Sequence, residues 1–189
     1  EAAFSSKGIY RAEVRGEAVI SKDRFKAINA FRAEEGLSLL ANSRNSATGG
    51  LRTKDPSETA RRQLDAFIFQ LGYAVDKNGR DVLPAIKSHH DAIDFLGNIG
   101  FKVSRGEKKL CHGIQEVIDQ CNHWALIRDE YPFEIDGMVI KVDSFDLQDM
   151  CGYTSHHPRW AIAYKFQAKQ ATTKLLDIEY QIGKIGSIT

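Results

Sequence analysis

The sequence predicts an α+β domain. Its 189 residues suit one domain, or one and a part. Its composition, 42% hydrophobic and 27% charged, is that of an ordinary globular chain. Strand-like and helix-like segments are mixed along it without a regular βαβ alternation, which argues against a doubly wound sheet.

Residues 9–20 alternate as a strand, with Arg11, Glu13, Arg15 and Glu17 on one face and Tyr10, Ala12, Val14 and Ala18 on the other. Ser21 and Asp23 then offer caps to a helix carrying Phe25, Ile28 and Phe31 on one side. Residues 41–58 are rich in Asn, Ser, Gly and Lys and read as a loop. Leu64 to Val75 reads as a strand, with Phe67 and Phe69 on one face and Ile68 on the other. Helices are expected from Pro84 to Asn98, with Ile86, Ala92, Ile93 and Leu96 inside, and from Ile114 to Ile127. Strands are expected at Met138–Val142, Trp160–Phe166 and Leu175–Ile182. No repeat or low-complexity segment occurs.

Several function classes lose support at this level. No run of about 18 apolar residues occurs, so no membrane-spanning helix is expected. With 26 basic and 25 acidic residues, a net charge of +1 gives no global electrostatic case for nucleic-acid binding; any such case must be local. Cys111, Cys121 and Cys151 are far apart, form no Cys-x-x-Cys pair, and indicate neither a zinc site nor a disulfide framework. They suit a reducing cytoplasm. The pairs His89-His90 and His156-His157 lack an accompanying acidic or Cys pattern and read as exposed side chains. Trp124 reads as a core residue of its helix.

Two lysines stand out. Lys141 interrupts Met-Val-Ile-Lys-Val, and Lys165 interrupts Ala-Ile-Ala-Tyr-Lys-Phe. A buried lysine is rare without an anionic partner, so two apolar strands each presenting one could clamp a phosphate or pyrophosphate. Strand alternation equally permits both on a solvent face. Glu17 could accept hydrogen bonds from a ribose hydroxyl, or lie in solvent. The 41–52 segment holds Arg44 and Arg52 among small residues, a weak phosphate-binding pattern that also fits a solvated loop.

Four blocks, in order and spacing, resemble the nucleotidyltransferase (adenylation) domain of bacterial NAD-dependent DNA ligases. They are Glu13-Val-Arg-Gly-Glu17; Ala41-Asn-Ser-Arg-Asn through Gly49-Gly-Leu-Arg52 with Ala60-Arg-Arg-Gln-Leu-Asp65; Pro132-Phe-Glu-Ile-Asp-Gly-Met-Val-Ile-Lys-Val142; and Gly152-Tyr-Thr-Ser with Pro158-Arg-Trp-Ala-Ile-Ala-Tyr-Lys-Phe166. The last two are highly specific, and the resemblance runs over nearly the whole chain. It implies an ATP-grasp-like nucleotidyltransferase domain of antiparallel sheets flanked by helices over residues 1–180, truncated at its N-terminus, with 181–189 starting the connection to an OB fold. It further implies that Glu17 contacts the adenosine ribose, that Lys141 and Lys165 contact the adenylyl group, and that Phe69 stacks on adenine. Arg44, Arg52 and Arg128 match arginines near nick phosphates, Asp136 and Gly137 match the acidic turn before the lysine strand, and Trp160 is expected to shape a wall of the site. NAD, magnesium and nicked double-stranded DNA are the implied ligands, with zinc only in a downstream domain, and a cytoplasmic monomer active in DNA replication and repair is implied.

The departures bear on activity. The family's nucleophilic lysine lies in an upstream Lys-x-Asp-Gly motif, and no lysine here is followed by x-Asp-Gly. The preceding acidic residue and the nicotinamide mononucleotide-gripping domain are missing as well, so the chain reads as cut from something longer. Ser43, Gln63 and Gln167 replace common family residues, and Lys184-Ile185 stands where Arg-Thr is usual. The leading expectation is a piece of a nick-sealing ligase, inactive by itself in self-adenylation. The alternatives are a non-catalytic nucleotide- or nicked-DNA-binding module of the same fold, and an ATP-using nucleotidyltransferase, against which the long second and fourth blocks speak.

Overall fold

Two two-stranded antiparallel sheets with flanking helices make up the structure, a computed structural model that describes residues 2–168 and 170–189. The element order is α1 (Ala2–Ser5), β1 (Arg11–Val19), α2 (Lys22–Glu34), α3 (Ser43–Arg52), α4 (Pro56–Arg62), β2 (Asp65–Val75), α5 (His89–Asn98), α6 (Ile114–Ile127), β3 (Gly137–Lys141), α7 (Phe145–Cys151) and β4 (Ala161–Lys165). Strand β1 pairs with β2, and β3 with β4. The α+β expectation holds.

Strands β1 and β2 do not keep the strict alternation that the sequence suggests. Their register passes from Glu13↔Tyr73 to Val14↔Leu71, and from Arg15↔Gln70 to Gly16↔Ile68. Gly72 and Phe69 are therefore the extra residues of two β-bulges, and a bulge re-aims side chains and interrupts the ladder. Phe67 packs edge-on against Phe133 with ring centres 5.2 Å apart, whereas the consecutive residues Ile68 and Phe69 both reach one cavity. Gly16 sits opposite the second bulge because a Cβ there would come within 2.6 Å of Ile68 Cδ1 and 2.7 Å of the Phe67 carbonyl oxygen.

The core lies where α5 covers β2. Ile9, Leu71, Ala74, Ala92, Ile93, Leu96 and Val103 are buried together. The expected helix from Pro84 begins later. A 3-10 turn occupies Leu83–Ala85, and the Ser88 hydroxyl, accepting from the Asp91 amide at 3.0 Å, caps a helix that starts at His89. A chain of edge-on and tilted aromatic contacts, Phe67–Phe133–Tyr131–Trp124, ties β2 to α6.

Segment 41–58 is mostly helix, not loop. The Asn42 side chain accepts from the Asn45 amide at 2.7 Å and caps α3, while Asp55 caps α4, whose first residue is Pro56. Ser43, Ser46, Ala47 and Gly50 are buried, so the small residues serve close packing. Gly50 faces the Arg62 stem, and the Arg62 guanidinium donates to the Ser46 carbonyl at 2.7 Å. The expected strand over 175–182 does not form among the described residues; an isolated bridge, Ile182↔Ile188, is the pairing that segment makes. Its alternating apolar side chains have no partner strand on which to build a ladder. Helix α7 follows from a cap, the Ser144 hydroxyl accepting from the Leu147 amide at 3.4 Å.

Gly137 opens β3 against a crowded neighbour: a Cβ would collide with the Tyr164 carbonyl oxygen and lie 3.0 Å from Lys165 Cα. Gly137→Ala should cost about 1–3 kcal/mol and lower Tm by roughly 2–8 °C. Gly106→Ala, in open space, should stay within about 1 °C of wild type. Equal melting of the two variants would show that the β3–β4 contact yields freely.

Candidate nucleotide site

The β3–β4 register sets the distance between the two lysines. Gly137 faces Lys165 and Ala161 faces Lys141. Directly opposed residues project to the same side, so the two lysines share one face of the ribbon at opposite ends. Four residues of strand separate them along the axis, roughly 13 Å.

At one end, four charged side chains from four segments meet. Lys165 Nζ lies 2.7 Å from Asp136 Oδ2, and Arg44 from α3 reaches the same carboxylate at 3.4 Å and Glu17 of β1 at 3.7 Å. All four side chains are more than half exposed. Such surface pairs contribute about 0–1 kcal/mol each, so this group does little to hold the fold. Its cations remain free to exchange partners. The hydrogen bond from Lys165 holds the Asp136 carboxyl below the usual carboxylate range, against the opposing effect of burial, and the Arg44 charge adds to it.

At the other end, Lys141 is half-buried. Its Nζ lies 3.2 Å from the Phe69 carbonyl oxygen, 3.2 Å from His89 Nε2 and 5.3 Å from the centre of the Phe69 ring. The bulge makes this possible, because Phe69 has no partner in the β1 register. Burial pushes the Lys141 ammonium down to about 8. It also pushes His89 down to about 4, with the neighbouring Lys141 charge acting in the same direction. These groups line a cavity of about 540 Å³ with Ile93, Trp124 and Ile140.

The structure thus brings Phe69 and Lys141 together, and separately Glu17, Arg44, Asp136 and Lys165. Glu17 and Lys165 do not line the cavity. The link is β2 and β3 themselves: Glu17 pairs with Phe67, two residues before Phe69, and Gly137 and Lys141 are the two ends of β3. Arg52 is exposed at the last turn of α3. Arg128 closes α6, donates to the Gln167 carbonyl at 3.0 Å and lies 5.7 Å from the Phe166 ring centre, next to the exit of β4. Trp124 is buried and forms part of the cavity wall, whereas Trp160 is buried against Tyr153 and not on that wall. His89, expected in solvent, is half-buried in the cavity. The signal available was Ser88, whose cap fixes His89 in the first turn of α5.

An α+β domain with a cavity at one end of a two-lysine ribbon and an ionic cluster at the other is the frame on which the site is built. The sequence profile of the NAD-dependent DNA ligase adenylation domain matches residues 3–169. A DNA ligase of Persephonella marina is 54% identical over all 189 residues, which make up 26% of that protein. One from Sulfurihydrogenibium azorense is 54% identical, with the whole chain matching 27% of its length, and one from Aquifex aeolicus is 48% identical, with the whole chain matching 26%. The chain belongs to the NAD-dependent DNA ligase adenylation domain family, and spans about a quarter of the length of these relatives.

The Lys141 environment makes a stability prediction. Its folded-state value lies below the unfolded 10.5, so holding the ammonium costs stability below pH 8 and costs nothing above pH 10.5. Lys141→Met keeps the aliphatic stem and removes the charge. It should raise Tm by roughly 2–4 °C at pH 7, and the gain should shrink as pH rises toward 10. A lower Tm at pH 7, or a gain independent of pH, would show that the ammonium is held without cost.

Proposed function

We propose that the protein carrying this chain seals nicks in duplex DNA by way of an adenylate taken from NAD, and that the β3–β4 ribbon holds the AMP moiety. The observation that carries this reading is the Lys141 ammonium set over the Phe69 ring on the wall of an apolar cavity. A purine stacked on Phe69 would gain about 1–3 kcal/mol from the ring, with Lys141 at its edge. The roughly 13 Å between the lysines suits a nucleotide laid along the ribbon, with its ribose toward Glu17 and its phosphate toward Lys165. Lys165 and Arg44 would then exchange Asp136 and Glu17 for phosphate oxygens.

The chemistry asks little of these residues beyond placed charge. AMP passes from NAD to a lysine, then to the 5′-phosphate at the nick, and the 3′-hydroxyl displaces it as the new phosphodiester bond forms. Each step develops negative charge on the transferred phosphorus oxygens, and a cation fixed on a strand meets that charge without reorganising. The nucleophilic lysine lies outside these 189 residues in this reading, since none here stands before x-Asp-Gly. Residues 1–180 would belong to the nucleotidyltransferase domain and 181–189 to the link toward an OB fold. Arg44, Arg52 and Arg128 would face the nick phosphates. Among the described residues no group of three His, Cys, Asp or Glu side chains could hold a metal. The magnesium we propose for the reaction therefore suits delivery on the nucleotide's phosphates, not a cage built by this chain. We place the protein in the cytoplasm as a monomer acting in replication and repair. No described helix is long and apolar enough to cross a membrane. A purely binding module is the weaker reading, because relatives named DNA ligase align along the whole chain.

In the full-length protein, Lys165→Ala should slow nick sealing by at least about a hundredfold through lost charge at the phosphate, Lys141→Ala should slow it at limiting NAD through weaker base binding, and arginine should restore neither, because a planar fork cannot replace a compact ammonium. The 189-residue chain given NAD and magnesium should gain no AMP mass. Near-wild-type sealing by both alanine variants, or an AMP adduct on the isolated chain, would overturn the assignment; in the second case the low-pKa Lys141 is the nucleophile to examine.

A further inference from the structure

Lysine carries three N–H donors and no acceptor, so an ammonium at a cavity wall is aimed by whatever takes two of them. For Lys141 those two are the Phe69 carbonyl oxygen and His89 Nε2, both at 3.2 Å. His89 is not held there by chance. Its amide donates to the Asp143 carbonyl at 2.8 Å, the next amide donates to the Asp143 carboxylate at 2.8 Å, and Ser88 bridges to Ser144. The first turn of α5 is thus stitched to the residues just after Lys141. Its second anchor, the Phe69 carbonyl, is presented by the bulge of β2.

We propose that His89 is a positioning residue: its unprotonated Nε2 and the Phe69 carbonyl fix the Lys141 ammonium so that its third N–H points into the cavity, toward a ring-nitrogen or carbonyl acceptor on a base stacked over Phe69. This rests on the reading of Lys141 as the cation at the base end of the nucleotide. Burial beside a positive charge keeps the His89 ring neutral at neutral pH, and the Nε2 facing the ammonium accepts in the tautomer that carries its proton on Nδ1. His90, one residue on, cannot share the task. Its Nε2 turns to Asp94 at 3.5 Å, and Lys108 reaches the same carboxylate at 2.6 Å. The arrangement makes His89 a determinant of how tightly NAD binds, with no part in the transferred phosphoryl group.

The test uses full-length ligase and steady-state sealing of nicked duplex DNA with NAD varied. His89→Leu removes the acceptor and keeps an apolar side chain of similar reach. It should raise KM for NAD about tenfold, the worth of one hydrogen bond to a charged group, with kcat within about threefold. His89→Gln, whose amide oxygen can accept, should recover most of the loss. In a Lys141→Met background, His89→Leu should add nothing further, as expected of two residues acting through one contact. A KM for the Leu variant within about twofold of wild type would overturn the proposal. So would failure of Gln to recover affinity while Tm is unchanged, or effects of the two substitutions that multiply. If Lys141→Met by itself leaves both KM and rate unchanged, the base-end reading of Lys141 fails; if His89→Leu still weakens NAD binding in that case, His89 touches the ligand itself and the positioning role is wrong.

Discussion

The seam between residues 87–90 and 143–145 holds the site together. The two sheets share no strand; side-chain contacts such as the Phe67–Phe133 ring pair and the Arg44–Asp136 ion pair join them, and this seam adds to those. The seam is two backbone bonds, the His89 amide to the Asp143 carbonyl at 2.8 Å and the Phe145 amide to the Lys87 carbonyl at 3.2 Å, and one side-chain cap, the His90 amide donating to the Asp143 carboxylate at 2.8 Å. These residues lie at the N-terminus of α5 and immediately after β3. Because α5 is anchored in the core on β2 through Ala92, Ile93 and Leu96, the seam fixes the end of β3 relative to β2. Lys141 then meets the Phe69 carbonyl 72 residues away in sequence.

Backbone irregularity has a purpose within this frame. A regular β1–β2 ladder would engage the Phe69 carbonyl in strand pairing and alternate its ring with its neighbours. The bulge gives up that pairing, and an ammonium takes the freed acceptor. Gly16 opposite Ile68 is what lets the strands stay close across the irregularity. Sequence, local geometry and site chemistry meet here in three residues.

Much of this was legible in the sequence. Strands with well-marked alternation or β-branched runs, β1, β2, β3 and β4, were placed to within a residue or two, as was α6 with its apolar stripe. The segment 41–58 misled because its small and polar residues are those of a loop, yet Asn42 and Asp55 are helix caps and Ser46, Ala47 and Gly50 are small in order to pack. Residues 175–182 misled in the opposite sense: the pattern of a strand is necessary, but a ladder needs a partner that pattern alone does not supply. At the site, Lys141 and Lys165 stood out as charges within apolar strands. That one would be half-buried and the other open could not be read from alternation, since both have the same parity on the ribbon. His89 escaped because its environment is made by a bulge and a tertiary seam, neither of which leaves a periodic trace.

The contrast between the two lysines is itself a division of labour. Lys165 stands in solvent with one carboxylate, Asp136, that it can relinquish, which in the proposed reading would suit a cation facing a phosphoryl group. Lys141 is desolvated and held by two neutral acceptors, a carbonyl and an imidazole, and neither competes for it as a carboxylate would. A fully ion-paired lysine would be stable but electrostatically spent; an unpaired exposed one would be screened by water. Half-burial with neutral partners keeps the positive charge effective at short range, at the cost in folding free energy that its lowered pKa records. In the nucleotide reading proposed above, that cost is offset where the desolvated charge meets an electron-rich edge of the base.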